Sequence, residues 1–116
     1  MKKIYVAGKM SDKDPVTFLM NLNRGIEASK DLVLRGYAVF SPFIDFQYFL
    51  ALRNGECITG KMIKDVSIAW LEVSDAVLVL PDYENSKGTL AEIARAEELG
   101  IPIYYSLEEL IENSNS

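Results

Sequence analysis

The sequence predicts an α/β fold, a doubly wound parallel sheet with helices on both faces. Three observations point there: apolar runs alternate with segments of helical periodicity; Ala76-Val77-Leu78-Val79-Leu80 is apolar throughout, as in a strand covered on both faces; and glycine or proline marks several junctions. The 116 residues suit a single domain, residues 1–116. A hydrophobic share of 49% and a charged share of 25% are those of an ordinary globular chain, which argues against disorder or a fibrous repeat.

The first strand is Ile4 to Gly8. Asp14-Pro15 then supplies an N-cap followed by proline at the first helical position, and the helix runs through Phe18, Leu19, Leu22, Ile26, Leu32 and Val33 to a closing Gly36. Tyr37 to Phe40 is a second strand, stopped by Ser41-Pro42, and Phe43 to Gly60 reads as a loop with a short helix. Lys61 to Val73 carries Met62, Ile63, Val66, Trp70 and Leu71 on one face, with Trp70 expected as the anchor of a second main helix. After the strand at Ala76–Leu80 and a polar loop, Asn85 or Ser86 caps a third helix that Gly100 ends; Ile101 to Tyr105 is the last strand. Ser106 to Glu109 fits a capping box, and residues 110–116 are expected to be a frayed polar tail. Right-handed crossovers between such strands give an open, Rossmann/flavodoxin-like sheet whose ligand sits outside the carboxyl ends of the strands. Three loops meet there: Gly8 to Asp14, Ser41 to Gly60, and Pro81 to Gly88.

Twelve basic against seventeen acidic side chains give a net charge of −5, with no basic run, so duplex nucleic acid and anionic membranes are not expected partners. No apolar stretch approaches the ~18 residues needed to span a bilayer, the first residues lack the apolar length of a secretory signal, and a cytoplasmic location is expected. Cys57 has no second cysteine to pair with, and histidine is absent, which excludes His-based triads and zinc sites. Asp82 and Glu84 resemble a metal site only as two carboxylates on a polar loop; no metal and no cofactor is expected.

Ser86-Lys87-Gly88 falls at a loop-to-helix junction, where backbone N–H groups, the helix dipole and a hydroxyl suit a phosphate; an ordinary N-cap beside a tight turn is the alternative. Glu92 lies six residues on in the same helix. One helix would thus hold a phosphorylated sugar at its tip and offer a carboxylate nucleophile deeper in, the alternative being a solvated glutamate. Tyr5 and Gly8 belong to the first strand and its exit, and Gly8-Lys9-Met10-Ser11 adds a second backbone cradle and the Ser11 hydroxyl, without the spacing of a P-loop or a dinucleotide fingerprint.

Tyr5-Val6-Ala7-Gly8, Trp70-Leu71 with Ser74-Asp75-Ala76-Val77, and Ser86 to Ile93 together resemble the nucleoside 2-deoxyribosyltransferase superfamily over about 100 residues. The chain looks closest to the small uncharacterised relatives and is similar to the deoxynucleoside 5′-monophosphate N-glycosidases. The resemblance implies that Glu92 attacks C1′ of the sugar, displacing the base, and that water or a second base resolves the glycosyl–enzyme intermediate. It implies that Tyr5 orients Glu92 and that Gly8 lets the backbone approach the sugar. Where relatives acting on free nucleosides carry aspartate six residues before the nucleophile, this chain has Ser86, as the monophosphate hydrolases do; Gly88 matches their phosphate-loop glycine. A nucleoside 5′-monophosphate is therefore the expected partner, ahead of a free nucleoside, with a homodimer or larger homo-oligomer also implied. One position departs: the general-acid aspartate should lie eight residues before Asp75, where this chain has Ser67, leaving Asp65 as the nearby substitute. Phe43, Phe46, Tyr48 and Phe49 crowd the loop that receives the base in the family, so Phe43 is a candidate for stacking and Asp45 for a contact to the base edge. Loss of the acid leaves three outcomes: slow hydrolysis, a base that leaves easily, or a non-catalytic nucleotide-binding or sensor module. A phosphoryl or redox enzyme of flavodoxin-like topology is a further alternative, resting on fold analogy alone.

Overall fold

The structure, a computed structural model, describes residues 1–114. Four parallel strands, β1 (Lys3–Ala7), β2 (Ala38–Phe40), β3 (Ala76–Val79) and β4 (Ile103–Tyr104), form one sheet in the order β2-β1-β3-β4. Tyr5 lies between Phe40 on one side and Val77 on the other. The connection after β1 runs outward to β2 and the connection after β3 runs outward to β4 on the other side, so the crevice at the carboxyl ends of β1 and β3 is the topological switch point. Both central strands are buried on both faces, which is why β3 is an uninterrupted apolar run.

Helices α1 (Pro15–Leu34) and α4 (Leu107–Ser114) cover one face, with Leu22, Leu32 and Leu110 packed on Ile4, Val6, Ala76 and Leu78. Helices α2 (Gly60–Leu71) and α3 (Lys87–Leu99) cover the other, with Leu71, Ile93 and Ala96 packed on Tyr5, Ala7, Val77 and Val79. The caps follow the residue types. Asp14 accepts from the Thr17 backbone N–H (3.2 Å) and hydroxyl (2.7 Å), Thr59 accepts from Met62 N (3.1 Å), and Ser86, not Asn85, caps α3 through Thr89 N (3.2 Å). Gly36 (φ 92°) and Gly100 (φ 70°) end α1 and α3 in the left-handed conformation, where a side chain would be strained.

The expected strands at Tyr37–Phe40 and Ile101–Tyr105 shorten to Ala38–Phe40 and Ile103–Tyr104. Pro102 has no N–H to give to a ladder, although its carbonyl accepts from Val77 N (2.9 Å). Residues 110–116 are not simply a frayed tail: Leu110 is fully buried and α4 continues to Ser114, while 115 and 116 lie outside the described residues. The capping box is offset by one residue, since Ser106 accepts from Glu109 N (3.1 Å) but the Glu109 carboxylate accepts from Tyr105 N (3.2 Å). Trp70 does not anchor α2. It is 51% exposed and stacks on Phe40 (5.6 Å between centroids), which stacks in turn on Tyr5 (5.5 Å).

Pro42–Ala51 is a ten-residue 3₁₀ helix. Phe43, placed among candidates for stacking on a base, is instead fully buried over Gly25 of α1, where a Cβ would collide with its ring. This contact fixes the segment to the core. Gly25→Ala gains about 1 kcal/mol of helix propensity but forces Phe43 from its site, and overpacking of that kind costs ~1–3 kcal/mol. The expected result, measured by thermal denaturation, is a Tm lower by several degrees.

Candidate active site

A cavity of about 630 Å³ opens at the switch point, bounded by the loop after β1, the 3₁₀ helix, α2 and the start of α3. Tyr5, on the most buried strand, carries its hydroxyl into this cavity and donates a hydrogen bond to Glu92 Oε2 on α3, joining residues 87 apart in sequence. Glu92 reaches that position because α3 starts at Ser86 and turns Ile93 and Ala96 into the core, leaving Glu92 at the edge of the buried face. Burial raises the Glu92 carboxyl from 4.5 to about 7, against the lowering effect of the Tyr5 hydrogen bond. The Tyr5 phenol is driven far up, first by burial and then by the Glu92 charge, and remains protonated. A permanently protonated phenol is a fixed donor that holds one carboxylate oxygen in place.

The second pole of the cavity is the N-terminus of α3. Ser86 Oγ accepts from Thr89 N (3.2 Å) and Thr89 Oγ1 (2.9 Å), and Ser86 N is taken by Tyr83 O (3.0 Å). The N–H groups of Lys87 and Gly88 have no acceptor within the helix, and both residues line the cavity. A Cβ on Gly88 would meet nothing within 4 Å, so neither conformation nor packing inside the chain requires glycine there. Gly8 is different: a Cβ would press on Leu80 (3.0 Å) and on Phe43 (3.1 Å), so its small size serves packing as well as the cavity wall. Ser11, Lys9, Lys64 and Lys87 stand along the same lining, with Lys9 also within 3.8 Å of Asp82.

Of the residues read from the sequence, Tyr5, Gly8, Ser11, Ser86, Gly88 and Glu92 all border this one cavity. Asp65 does not: it lies on the exposed side of α2, bound to Lys61 (2.6 Å), because two residues along a helix from Ser67 turns a side chain away. Phe46 and Phe49 line the cavity in place of Phe43. Ser67 is buried and lines the same cavity as the Tyr5 hydroxyl, a proximity that no local pattern announces. Asp45 also lines it, 6% exposed. Among the described residues no group of three His, Cys, Asp or Glu side chains is placed to hold a metal, and no helix is long and apolar enough to cross a membrane.

In fold the chain is similar to the 2-deoxyribosyltransferase of Bacillus psychrosaccharolyticus, with a TM-score of 0.59 at 20% identity over 87% of this chain and 69% of that one. It is similar also to a conserved protein of Enterococcus faecalis V583, with a TM-score of 0.57 at 24% identity over 89% of this chain and 61% of that one. The likeness to 2-deoxyribosyltransferases that the sequence carries is thus present in the fold. A comparison with curated proteins finds no match. Residues 2–105 match the family described as a domain of unknown function, DUF4406, and with the whole sheet and all three long helices inside that span, the chain belongs to this family.

Proposed function

We propose that the protein breaks the N-glycosidic bond of a nucleoside 5′-monophosphate through a covalent glycosyl–Glu92 intermediate, resolved by water or by transfer to a second base. The observation that carries this reading is the Tyr5–Glu92 pair in the same cavity as the open N-terminus of α3. Six residues separate Ser86 from Glu92, roughly 9 Å of helical rise, enough to seat a pentose 5-phosphate lengthwise. The phosphate would take the free N–H groups of Lys87 and Gly88 and the Ser86 hydroxyl, with lysines at the rim. Gly88, unneeded for packing, leaves room for it. C1′ then lies against Glu92, and Phe46 and Phe49 border the space for the base. The fold shared with a 2-deoxyribosyltransferase supports this chemistry.

Glycosyl transfer needs a carboxylate at Glu92, and the Tyr5 hydrogen bond restrains that carboxylate while leaving its other oxygen for C1′. A homo-oligomer belongs to the same reading, supported by the exposed apolar stripes Leu19, Ile26, Val33 on α1 and Met62, Val66, Trp70 on α2. A cytoplasmic location, where nucleotides are made and degraded, fits it too. The specific observation favouring a binding module instead is Ser67, a hydroxyl where the base would need an acid.

The test is incubation with a panel of ribo- and deoxynucleoside 5′-monophosphates, with free base followed by chromatography. Base release that disappears in Glu92→Ala is expected. Saturable binding of the same nucleotides without release would leave the binding module.

A further inference from the structure

Cleavage of an N-glycosidic bond leaves an electron pair on a ring nitrogen, and a proton donor there is worth about 10²–10⁴ in rate. Neither Ser67 nor the exposed, ion-paired Asp65 is a suitable donor. A second carboxyl group nevertheless lines the cavity, contributed by the 3₁₀ helix. Asp45 is 6% exposed, and its Oδ2 is enclosed without a hydrogen-bond partner among the described residues. A carboxylate oxygen enclosed without a partner is costly to keep charged, so the group favours the protonated acid. Asp45 and Glu92 are the two acidic side chains of the cavity lining.

We propose that Asp45 is the proton donor to the leaving base, replacing from the 3₁₀ helix the carboxyl group that α2 lacks at Ser67; this rests on the N-glycosidase reading of the same site. Its position is fixed by its neighbours: Pro42 and Phe43 are buried just before it, and Phe43 is keyed onto Gly25. It lines the same cavity as Tyr5, the group that holds Glu92, and its charge acts on that phenol. In the first step Asp45 gives its proton to the base nitrogen, the C1′–N bond breaks with its electron pair going to the base, and a Glu92 oxygen bonds C1′. In the second, water attacks C1′, the ester to Glu92 breaks, and the Asp45 carboxylate takes the proton from the water. Both carboxyl groups end as they began, with one water consumed.

Burial alone raises the Asp45 carboxyl above its ordinary range, in the direction a donor requires. The charged and titratable groups around this cavity are Tyr5 from β1, Lys9 from the following loop, Lys64 from α2, and Lys87 and Glu92 from α3. The active form has Glu92 ionised and Asp45 protonated, so kcat/KM should rise and then fall with pH, the two limbs belonging to the pair.

The test compares wild type and Asp45→Asn on two substrates: an ordinary purine deoxynucleoside 5′-monophosphate and its 7-methylated form, whose cationic base departs without accepting a proton. The proposal expects Asp45→Asn to lose about 10²-fold or more on the ordinary substrate and less than about 10-fold on the methylated one, with the alkaline limb abolished. Turnover of the methylated substrate shows that the variant is folded. Ser67→Asp added to Asp45→Asn should restore part of the ordinary rate. Equal losses on both substrates, or no loss on either, would overturn Asp45 as the donor while leaving the N-glycosidase reading intact. Should Asp45→Asn not fold, the wild-type profile decides: the absence of an alkaline limb on the ordinary substrate overturns the proposal. Wild-type protein inactive on both substrates overturns the underlying reading and the proposal with it.

Discussion

Glu92→Gln is expected to remove base release and at the same time to make the protein more stable at alkaline pH. In the folded chain the Glu92 carboxyl titrates near 7, against 4.5 for the unperturbed group, so between these values the folded state binds a proton that the unfolded state has lost. Stability contributed by this proton is complete below about 4.5 and is gone above 7. A difference of this size corresponds to ~3 kcal/mol of destabilisation at pH 8 and above. Glutamine is uncharged and keeps an oxygen for the Tyr5 hydroxyl, so the variant escapes that cost. Thermal denaturation should show Glu92→Gln higher in Tm by roughly 10 °C at pH 8.5 and nearly equal to wild type at pH 4. A residue with a merely structural role would lose stability on substitution. A gain confined to high pH, together with lost turnover, marks a group held against its own stability for its chemistry.

Ser86→Asp is expected to turn the preference of the site from nucleoside 5′-monophosphate toward free nucleoside. Aspartate is as good an N-cap as serine, and the chain already contains the required geometry: Asp14 caps α1 by accepting from Thr17 N and Oγ1, as Ser86 does from Thr89 N and Oγ1. Folding should therefore be unchanged. At the phosphate position the new carboxylate would stand a few ångströms from a dianion, a repulsion of about 4 kcal/mol per charge pair at an effective dielectric constant of 20, reduced by the lysines and by salt. The ratio of kcat/KM for monophosphate over nucleoside should fall by about 10²-fold or more. An unchanged ratio would remove the α3 N-terminus from substrate recognition.

The order of elements and the helix caps were legible because each depends on local chemistry: proline at N1, glycine at C′, serine or aspartate at the cap. Which face of a helix turns inward was less so. On α1 the buried side runs through Asn21, Leu22, Gly25, Ser29 and Leu32, several of them small or polar, while the apolar heptad of Leu19, Ile26 and Val33 faces outward. Helical periodicity detects both stripes and cannot rank them, since the close approach of Phe43 to Gly25 is a tertiary fact. The same holds on α2, where Ser67 and Leu71 are buried and Met62, Val66 and Trp70 are exposed.

At the site, the residues on one helix or strand end were found by spacing, and their conjunction came from the resemblance. Of the groups contributed by the 3₁₀ helix, Phe43 was misjudged, while Asp45, Phe46 and Phe49 line the cavity. Phe43 and Phe46 are three residues apart, and on a 3₁₀ helix such positions nearly eclipse; only the packing onto Gly8 and Gly25 sends Phe43 into the core while Phe46 borders the cavity. Asp45 was legible as an acidic residue near the base. That one of its oxygens is enclosed and unpaired is visible only in the folded chain.

A covalent bond between Glu92 and the sugar separates the proposed chemistry from direct attack by water. The measurement that tests it most directly is intact-protein mass spectrometry after acid quench during turnover, followed by peptide mapping, with a deoxynucleoside 5′-monophosphate found to release its base. An adduct of one deoxyribose 5-phosphate is expected on the peptide containing Glu92, absent without substrate and absent in Glu92→Gln. Base release at full rate with no adduct, and with inversion at C1′, would contradict it, because water would then have attacked the sugar directly.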